Sequence, residues 1–590
     1  MVAIAVQQKQ MKQAEELLFS GPQKLGFAKA LFFGRFVHEW VMPYPRLGVE
    51  EQVRVDAALA QVRHFIEQSL DPAVIDRLAE IPRATIDELG RLGVLGMTVP
   101  EAFGGRGFSQ QAYCRVMEAI GGACASTSVF VNAHHSIGMR ALLLFGTEEQ
   151  KERWLPTLAT GESLAAFALT EPEAGSDASN VQTTATLSPD GSHFIFNGEK
   201  RYITNGCIAQ VLTVMARTPA PEKGEGETSV TAFLVTPDMP GFEVVEARME
   251  KLGIRGTATS RLAFHDMRVP RGNVLGPMGK GLKVALTVLD FGRTTFGACC
   301  TGAAKACLRM TVDHAKSRRQ FQRPLAEFEL VQKKIANMAA HIDAMEAMTT
   351  VTASLIDRGL EDYMLETAML KVFTTEALWT IVNDAFQIHG GPAYFTDRPL
   401  ERMLRDARIN QIGEGANDVL RSFVALVGMR GPGEHLRDVW EALHHPLRGA
   451  GTVWRFGMER LGGMFHTPDV PVRHGELRPY AKELATLIKR FEASVRRMLI
   501  RHGESIFERQ LVQERIAEAA MELYASACAL SRWDGAFTET AGNGQPPPRE
   551  HATAEHFLRS SARRVRGHLA ALRDNDDDAL LAAASAALDA

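Results

Sequence analysis

Apolar residues recur at three- and four-residue intervals along most of this chain, a period that predicts amphipathic helices. The period holds through 50–165, as in AVIDRLAEI and ATIDELGRLGVL, and it returns in 279–430. Between these regions, 166–278 carries short β-branched runs such as HFIFNG, VLTVMART and VTAFLVTP, which predict an antiparallel β domain. The pattern therefore predicts helices, then strands, then helices again.

Residues typical of turns and loops indicate where strands and domains end. Asp190-Gly191 and Asn197-Gly198 are typical hairpin turns, so we expect the chain to reverse at both. The stretch MRGPGEH after Gly428 predicts a break, and about 160 residues of helical period follow it, which is enough for a further domain.

The predicted fold is α+β and mainly helical. Each of the larger segments is long enough to bury a core of its own. The segments are an N-terminal extension, an N-terminal helical domain, a middle antiparallel β domain, a C-terminal helical bundle and an extra C-terminal helical domain, over 1–49, 50–165, 166–278, 279–430 and 431–590 respectively.

Composition and charge narrow the function. A net charge of -4, from 66 basic and 70 acidic residues, gives no reason to expect a nucleic acid partner. The seven cysteines include no CxxC pair, so neither a disulfide framework nor a metal site is expected. The N-terminus lacks the features of a secretion signal or transit peptide, and the apolar run Leu25 to Val37 is too short to span a membrane. We therefore expect a cytoplasmic protein.

Two stretches in the strand region suit a flat ligand. FALTEPEAGSDASNVQTTA begins at Phe167, where a strand runs into a loop rich in Gly, Ser and Thr whose backbone can approach a ligand closely. NGEKRYITNG contains Tyr202, Ile203 and Thr204, which could place an aromatic ring and a hydroxyl against the same ligand. Each stretch is equally compatible with an ordinary turn or hairpin.

Two more stretches lie in the helical region that follows. SRRQF, from Ser317, sets two arginines and an amide just after a helix, which suits a pyrophosphate or a carboxylate. Exposed arginines are usually only solvated, however. DAFQIHGGPAYF sets Gly390-Gly391 at a helix end, which a helix C-cap explains as well as a close approach to a ligand.

The last stretch, LRDARINQIGEGANDVLR, carries a candidate base. Glu414-Gly415 interrupts its apolar period, and Asn417-Asp418 is expected to begin the next helix. Taken alone, Glu414 is as easily a carboxylate that interacts with the dipole of that helix, and Asp418 a simple cap. The choice therefore depends on the other stretches.

In this order and at these separations, the five stretches resemble the acyl-CoA dehydrogenase family across Glu50 to Gly428. The family fold is a helical domain, a β domain and a four-helix bundle, so the resemblance implies four helices in the bundle over 279–430. It also implies a flavoenzyme that oxidises acyl-CoA. Its FAD is expected between the middle and C-terminal domains and partly across a subunit interface, which implies an oligomer.

The resemblance assigns the site position by position. It implies that the Thr204 hydroxyl lies near the flavin N5 atom and that Arg318 holds the pyrophosphate end. The expected FAD contacts are Phe167, Leu169, Thr170, Ser176, Tyr202, Ile203, Thr204, Arg318, Gln320, Phe321, Gln332, Gln387, Gly390, Gly391, Ala416, Asn417 and Asp418. The expected acyl-CoA contacts are Ser176, Asp290, Arg293, Gly413 and Gly415.

Glu414 is the expected catalytic base. The α-hydrogen of a thioester is weakly acidic, so its removal needs a base, a group that polarises the carbonyl and an acceptor for the β-hydride. Exclusion of solvent by substrate should raise the pKa of Glu414 above its ordinary value of about 4.3. Two neighbours depart from the family pattern, because Ala416 stands where threonine is usual and Gly413 where an aromatic residue is frequent.

Both ends of the chain resemble the very-long-chain branch of the family. KLGFAKALFFGRFVHEWVMPYP and the extension after Gly428 carry this likeness, which implies a homodimer, long to very-long acyl-CoA substrates and electron-transfer flavoprotein as acceptor. Within 446–465, Trp454 and Phe465 share a helical face with Arg455 nearby, which predicts peripheral contact with the inner face of the cell membrane. Packing of this helix on its own domain is an equal alternative.

Two other functions stay open on the sequence. An acyl-CoA oxidase shares the fold and the base but passes its electrons to oxygen. An assembly factor for respiratory proteins would keep the fold and use the extra domain to bind its partners. The intact Glu414 argues against a loss of catalysis, but not against a second role.

Overall fold

The computed structural model describes residues 25–444, 467–539 and 548–589, apart from 222, 223 and 225. The expected membrane-contact segment 446–465 lies outside these residues. Across the described ranges, no helix has both the length and the apolar character that crossing a membrane requires.

Helices dominate both ends of the described chain, and strands dominate its middle. The first helices are α1 (Phe27–Phe32), α2 (Val49–Ser69), α3 (Pro72–Leu78), α4 (Arg83–Arg91), α5 (Gln110–Ala123), α6 (Ala125–Val131), a π-helix (Asn132–Gly138), α7 (Met139–Phe145) and α8 (Glu148–Thr160). The strands are β1 (Ala165–Ala168), β2 (Thr184–Leu187), β3 (His193–Thr204), β4 (Val211–Pro219), β5 (Thr228–Val235), β6 (Phe242–Glu246), β7 (Thr259–Pro270) and β8 (Val274–Leu275).

Helices dominate the described residues that follow. They are α9 (Gly281–Ser317), α10 (Glu329–Asp357), α11 (Met364–His389), α12 (Pro399–Arg408), α13 (Asn417–His444), α14 (Arg478–His502), α15 (Gln510–Glu539), α16 (Pro548–Ala571) and α17 (Asp577–Leu588). Two short strands, β9 (Arg319–Gln320) and β10 (Arg323–Pro324), lie between α9 and α10. The predicted fold class, mainly helical with a central β domain, is confirmed.

The described residues form two compact units. The first contains Leu47–Ala326 and Thr374–Gly415, and the second contains Lys24–Arg46, Glu327–Phe373 and Ala416–Ala590 as far as they are described. The whole sheet belongs to the first unit. The second unit joins α1, near the start of the chain, to the C-terminal helices, and α11 contributes residues to both units.

The large sheet has the strand order β6-β7-β3-β2-β4-β5-β8, with β1 beside β4. Most neighbours are antiparallel, as predicted, but the pairs β1–β4 and β2–β4 are parallel. Buried rings fill one face, where Phe233 makes edge contacts with Phe194 at 5.0 Å and with Phe196 at 4.8 Å between centroids. Edge-on rings at such distances pack better than stacked ones.

One predicted turn is wrong. Asp190-Gly191 forms the turn between β2 and β3 as expected, but Asn197-Gly198 lies inside β3. Gly198 has φ 151° and marks a register shift between β3 and β7. A Cβ there would lie 2.5 Å from the hydroxyl oxygen of Thr183, so a close approach of two backbones explains this glycine.

Glycines bring α5 and α9 into close contact in the first unit. A Cβ on Gly302 of α9 would lie 1.9 Å from the carbonyl oxygen of Glu118, and a Cβ on Gly121 would lie 2.5 Å from the Cα of Cys299. The two backbones therefore touch where neither helix has a side chain. This contact fixes the helix that carries Asp290 and Arg293.

A buried ion pair holds the loop that follows β1. Lys200 is fully buried, and its ammonium donates to the Glu171 carboxylate at 2.6 Å and to the Leu169 carbonyl at 3.1 Å. Burial lowers the pKa of Lys200 to about 8, while the charge of Glu171 opposes that shift. Although burial alone would raise the pKa of the Glu171 carboxyl, Lys200 and hydrogen bonds from Thr183 and Gln182 hold that pKa below its ordinary value. Both groups are therefore charged at neutral pH.

Replacement of this lysine tests the ion pair. Lys200→Met leaves the carboxylate of Glu171 buried without its counter-charge, so we expect the free energy of unfolding to fall by about 3–5 kcal/mol. Urea denaturation followed by far-UV circular dichroism measures the loss. The double variant Lys200→Met/Glu171→Gln also removes the buried negative charge, so it should recover most of the lost stability. A loss below about 1 kcal/mol in the single variant would contradict the assignment.

In the second unit, the N-terminal segment packs against the C-terminal helices. The ring of Phe27 lies 5.8 Å from that of Tyr524, and the ring of Phe32 lies 5.0 Å from that of Phe491. Phe27, Phe32 and Tyr524 are among the largest fully buried side chains. This segment is therefore part of the core of the second unit.

The predicted break after Gly428 is wrong. Helix α13 continues through Pro432, and two of the glycines that suggested a loop make room for aromatic rings instead. A Cβ on Gly428 would lie 2.1 Å from an atom of the Phe32 ring, and a Cβ on Gly431 would lie 2.7 Å from an atom of the Phe33 ring. Close packing of the N-terminal segment against α13, and not an interruption of the helix, explains both glycines.

A buried carboxyl lies at the start of α1. Glu366 is 1% exposed, and the Ala28 N–H donates to its Oε1 atom at 2.8 Å. Burial raises the pKa of this carboxyl to about 7; the charge of Asp362 adds to the shift, and the charge of Lys29 and the bond from Ala28 oppose it. The contact joins the N-terminal segment to α11 within the second unit.

The raised pKa gives this contact a pH dependence. A carboxyl whose pKa is higher in the folded state stabilises the fold fully below its unfolded value and loses that contribution as pH rises through the folded value. Glu366→Gln mimics the protonated form, so its stability relative to wild type should rise from pH 5 to pH 8 by on the order of 2–3 kcal/mol. Urea titrations of both proteins at the two pH values measure this difference. If the stability difference between Glu366→Gln and wild type were the same at pH 5 and at pH 8, Glu366 would not titrate in this range.

Candidate active site

Glu414 lies in a tight turn just before α13. Its φ is 58°, in the left-handed region that residues other than glycine seldom adopt, and Gly415 follows with φ 94°. Its Oε2 atom is buried. Such backbone strain persists only where the surroundings enforce it, and it concentrates at functional sites.

A buried arginine on α9 braces this turn. The Nε atom of Arg293 donates to the carbonyl oxygen of Glu414 at 3.2 Å, and its Nη1 atom donates to Asp290 at 3.0 Å. The side chains of Arg293 and Asp290 are 8% and 3% exposed. Both residues were expected in the acyl-CoA channel. The structure brings them together with Glu414 and uses the guanidinium to hold its backbone.

The Glu414 carboxylate lies beside a glycine on α9. A Cβ on Gly292 would lie 3.7 Å from Oε2 of Glu414 and 2.9 Å from Cγ1 of Ile137. Ile137 belongs to the π-helix, a distortion that is frequent at functional sites. The lack of a side chain at Gly292 therefore lets Ile137 pack closely against α9 beside the carboxylate.

Several of the residues predicted to contact FAD lie in or just after β1 and at the end of β3. The Thr170 carbonyl accepts from the Arg201 N–H at 2.9 Å, so the loop after β1 runs beside the end of β3. Tyr202 has φ 61° and is 57% exposed, at a register shift between β3 and β7. Of the other predicted positions, Phe167, Leu169 and Thr204 are half-buried, Ile203 is buried and Ser176 is exposed. The exposed ring of Tyr202, with the Arg201 guanidinium 4.9 Å from its centroid, suits a flat ligand with polar edges.

The SRRQF stretch forms a small hairpin after α9. Gln320 pairs with Arg323, and the tip residues Phe321 and Gln322 have φ values of 51° and 68°, the conformation of a type I′ turn. Arg318 is exposed at its base, and Phe321 is 89% exposed at its tip.

A pair of stacked histidines brings the ends of α9 and α11 together. The rings of His314 and His389 lie 4.2 Å apart. Burial lowers the pKa of His314, and the charges of His389, Arg398 and Arg318 lower it further. Gly390 follows His389 with φ 66°. Gln387, Gly390 and Gly391 are exposed at this helix end.

The remaining predicted positions divide between the units. Gly413 and Gly415 are half-buried in the first unit, beside Glu414 in the chain. Gln332, Ala416, Asn417 and Asp418 belong to the second unit, where Asn417 is buried, Ala416 half-buried and the other two exposed.

The residues of the first unit fit the FAD that the resemblance implies. The exposed Tyr202 and the Thr170 loop offer a ring and polar groups to an isoalloxazine, and the corner around Arg318 concentrates positive charge for a pyrophosphate. The sequence pattern missed Lys200, which ties that loop to β3. It also missed the stacked pair His314 and His389, which lies near Arg318 and Arg398. No local signal marks these residues, because each acts through a partner distant in the chain.

Comparison with known proteins identifies the family. Models described as the N-terminal, middle and C-terminal domains of acyl-CoA dehydrogenase match residues 54–162, 166–267 and 279–428. A model described as the ACAD9/ACADV C-terminal domain matches residues 475–588.

Individual relatives match over nearly the whole chain. The very long-chain specific acyl-CoA dehydrogenase of Homo sapiens is 36% identical, covering 93% of this chain and 84% of its own. The Probable acyl-CoA dehydrogenase FadE10 of Mycobacterium bovis is 33% identical, covering 96% and 88%. A crystal structure of an acyl-CoA dehydrogenase complexed with FAD, from Bacillus anthracis, superposes with a TM-score of 0.76 at 29% identity, covering 94% of each chain. The chain thus belongs to the acyl-CoA dehydrogenase family, whose members are FAD-dependent oxidoreductases of fatty acid oxidation.

Proposed function

We propose that this chain oxidises long to very-long-chain acyl-CoA to trans-2-enoyl-CoA, with Glu414 as the base and electron-transfer flavoprotein as the electron acceptor. The observation that carries the proposal is the braced turn: a carboxylate in a left-handed backbone conformation whose carbonyl a buried arginine holds. A fixed base is what abstraction of a weakly acidic proton requires, because misplacement by about 1 Å costs up to about 10²-fold in rate.

The geometry of Glu414 argues against a simple interaction with the helix dipole. That effect falls off within the first turn of a helix. Here Ala416 accepts the first intrahelical bond of α13, from the Leu420 N–H at 2.9 Å, and Asp418 is the acidic residue of the first turn. Glu414 precedes that turn and turns away from helical geometry, which supports a role in chemistry.

The chain supplies the proton transfer, and the cofactor supplies the oxidation. When bound, FAD would supply the acceptor for the hydride of the β-carbon. The Glu414 carboxylate takes the α-proton. Arg293, with its charge balanced by Asp290, keeps the base turn in place during the transfer. The Thr170 loop and Tyr202 hold and cover the flat ligand.

The proposed chain length, dimer and membrane contact rest on likeness and on sequence. The human relative is named for very-long-chain substrates, and its likeness extends through the additional C-terminal region of this chain. The homodimer rests on the likeness of both ends of the chain to the very-long-chain branch of the family. The membrane contact rests on the sequence of 446–465, in which Trp454 and Phe465 lie near several arginines.

Removal of the base tests the chemistry. Glu414→Gln keeps the size of the side chain but cannot accept the proton, so we expect FAD to stay bound while anaerobic bleaching of the flavin by palmitoyl-CoA slows by at least about 10²-fold. Stopped-flow absorbance of the bound flavin measures the rate. Glu148→Gln changes an exposed glutamate of the same unit and should bleach like wild type. Bleaching of the Glu414→Gln variant at the wild-type rate would exclude Glu414 as the base.

A series of acyl-CoAs tests the substrate and the acceptor. Each buried methylene adds about 0.8 kcal/mol, so kcat/KM for palmitoyl-CoA should exceed that for octanoyl-CoA by at least about 10-fold. The reduced, product-bound enzyme should reoxidise rapidly with electron-transfer flavoprotein and slowly in air. A preference for octanoyl-CoA would contradict the proposed chain length, and rapid reoxidation in air would instead support an oxidase.

A further inference from the structure

A second buried lysine lies in the second unit, on α11. Lys371 is fully buried, among the largest such side chains in the described part of the chain. Its ammonium donates to the Oδ1 atom of Asn417 at 2.8 Å, and Asn417 is 3% exposed. Removing an ammonium group from water costs several kcal/mol. An apolar residue of similar length could fill the same space without that cost, so the retained charge points to a task for the hydrogen bond.

The partner of Lys371 is the first residue of α13. Helix starts are usually fixed by a side chain at the preceding position that accepts from the first free N–H groups. Here that position is Ala416, which has no hydrogen-bonding side-chain atom and whose carbonyl begins the helix by accepting from Leu420. The bond from Lys371 to Asn417 therefore anchors a helix start that lacks the usual cap.

The anchored helix start lies directly after the base turn in the chain. Glu414 and Gly415 both have positive φ values, and Ala416 alone separates them from Asn417. Within the first unit, Arg293 holds the carbonyl of Glu414. Within the second unit, Lys371 holds the residue at which the turn ends. The chain from Glu414 to Asn417 is only four residues long and each residue has only two soft torsions, so movement of Asn417 changes the backbone of the turn.

We propose that Lys371 is a positioning residue of the reaction, which fixes the start of α13 through Asn417 and thereby the backbone of the turn that carries Glu414. The inference rests on the proposed role of Glu414 as the base. It predicts that loss of the ammonium group slows proton abstraction in the folded, FAD-loaded enzyme and leaves the binding of substrate unchanged.

Lys371→Met tests this role in the FAD-loaded enzyme. Methionine is apolar and of similar length, so it fills the same space, but it leaves the Oδ1 atom of the buried Asn417 without this donor. We expect wild-type flavin content and a small fall in thermal stability, with a fall of about 10-fold or more in the rate of bleaching per bound FAD by palmitoyl-CoA. The isotope effect with α-deuterated palmitoyl-CoA should increase because proton abstraction becomes slower, while KM stays within about twofold.

Amide hydrogen exchange provides a readout that does not depend on activity. The peptide 412–424 should exchange faster in Lys371→Met than in wild type, because the helix start opens more often. Lys371→Arg keeps a cationic donor and should recover part of the rate and of the protection. Adding a cap hydroxyl through Lys371→Met/Ala416→Thr should also restore part of the protection. Lys482→Met replaces an exposed lysine of the same unit and serves as the control.

The outcomes separate a positioning role from a structural one. If Lys371→Met loses FAD or stability while the remaining flavin bleaches at the wild-type rate with an unchanged isotope effect, Lys371 is structural and the inference is wrong. Unchanged exchange in 412–424 would overturn it as well. The Glu414→Gln enzyme is measured in the same assay, and if its flavin bleaches normally, the assignment of the base fails. If the flavin of Glu414→Gln does not bleach while that of Lys371→Met bleaches at the wild-type rate, only the inference about Lys371 is overturned.

Discussion

The left-handed backbone of Glu414 is the constraint around which the candidate site is arranged. A residue with a β-carbon in this region costs on the order of 1–3 kcal/mol, and it persists only when neighbouring groups impose it. Arg293 does so through the carbonyl of Glu414, and Asp290 balances the charge that this brace brings into a buried place. Arg293 in turn depends on the position of α9, which the glycine contact with α5 fixes.

In the described residues, buried charges hold the loop after β1 and the start of α13. Lys200 and Glu171 tie the loop after β1 to β3, and Lys371 holds the start of α13. A loop has no ladder of backbone bonds to fix it, so a charged group in a low-dielectric interior is an effective anchor. The cost of burial is offset only by good geometry, which makes such anchors specific for one conformation.

Local pattern in the sequence predicted the order of helices and strands. It failed where a residue serves a distant contact. Gly198 resembles a turn glycine but makes room for Thr183, and Gly428 resembles a breaker but makes room for the Phe32 ring. A neighbour across the fold decides both, and a periodic pattern carries no information about such a neighbour. For the same reason the pattern of the N-terminal segment shows that it is apolar, but not that it packs against Tyr524.

The role of Arg293 shows how likeness and geometry can be combined. Likeness alone placed this residue in the acyl-CoA channel, where a cation would meet substrate directly. The structure engages its Nε and Nη1 atoms with Glu414 and Asp290, and the side chain is 8% exposed. A guanidinium has five donors in a fixed plane, so two fixed partners also determine where the other donors point. Any contact that Arg293 makes with substrate is therefore tied to the geometry of the base, and a change in one cannot leave the other unaltered.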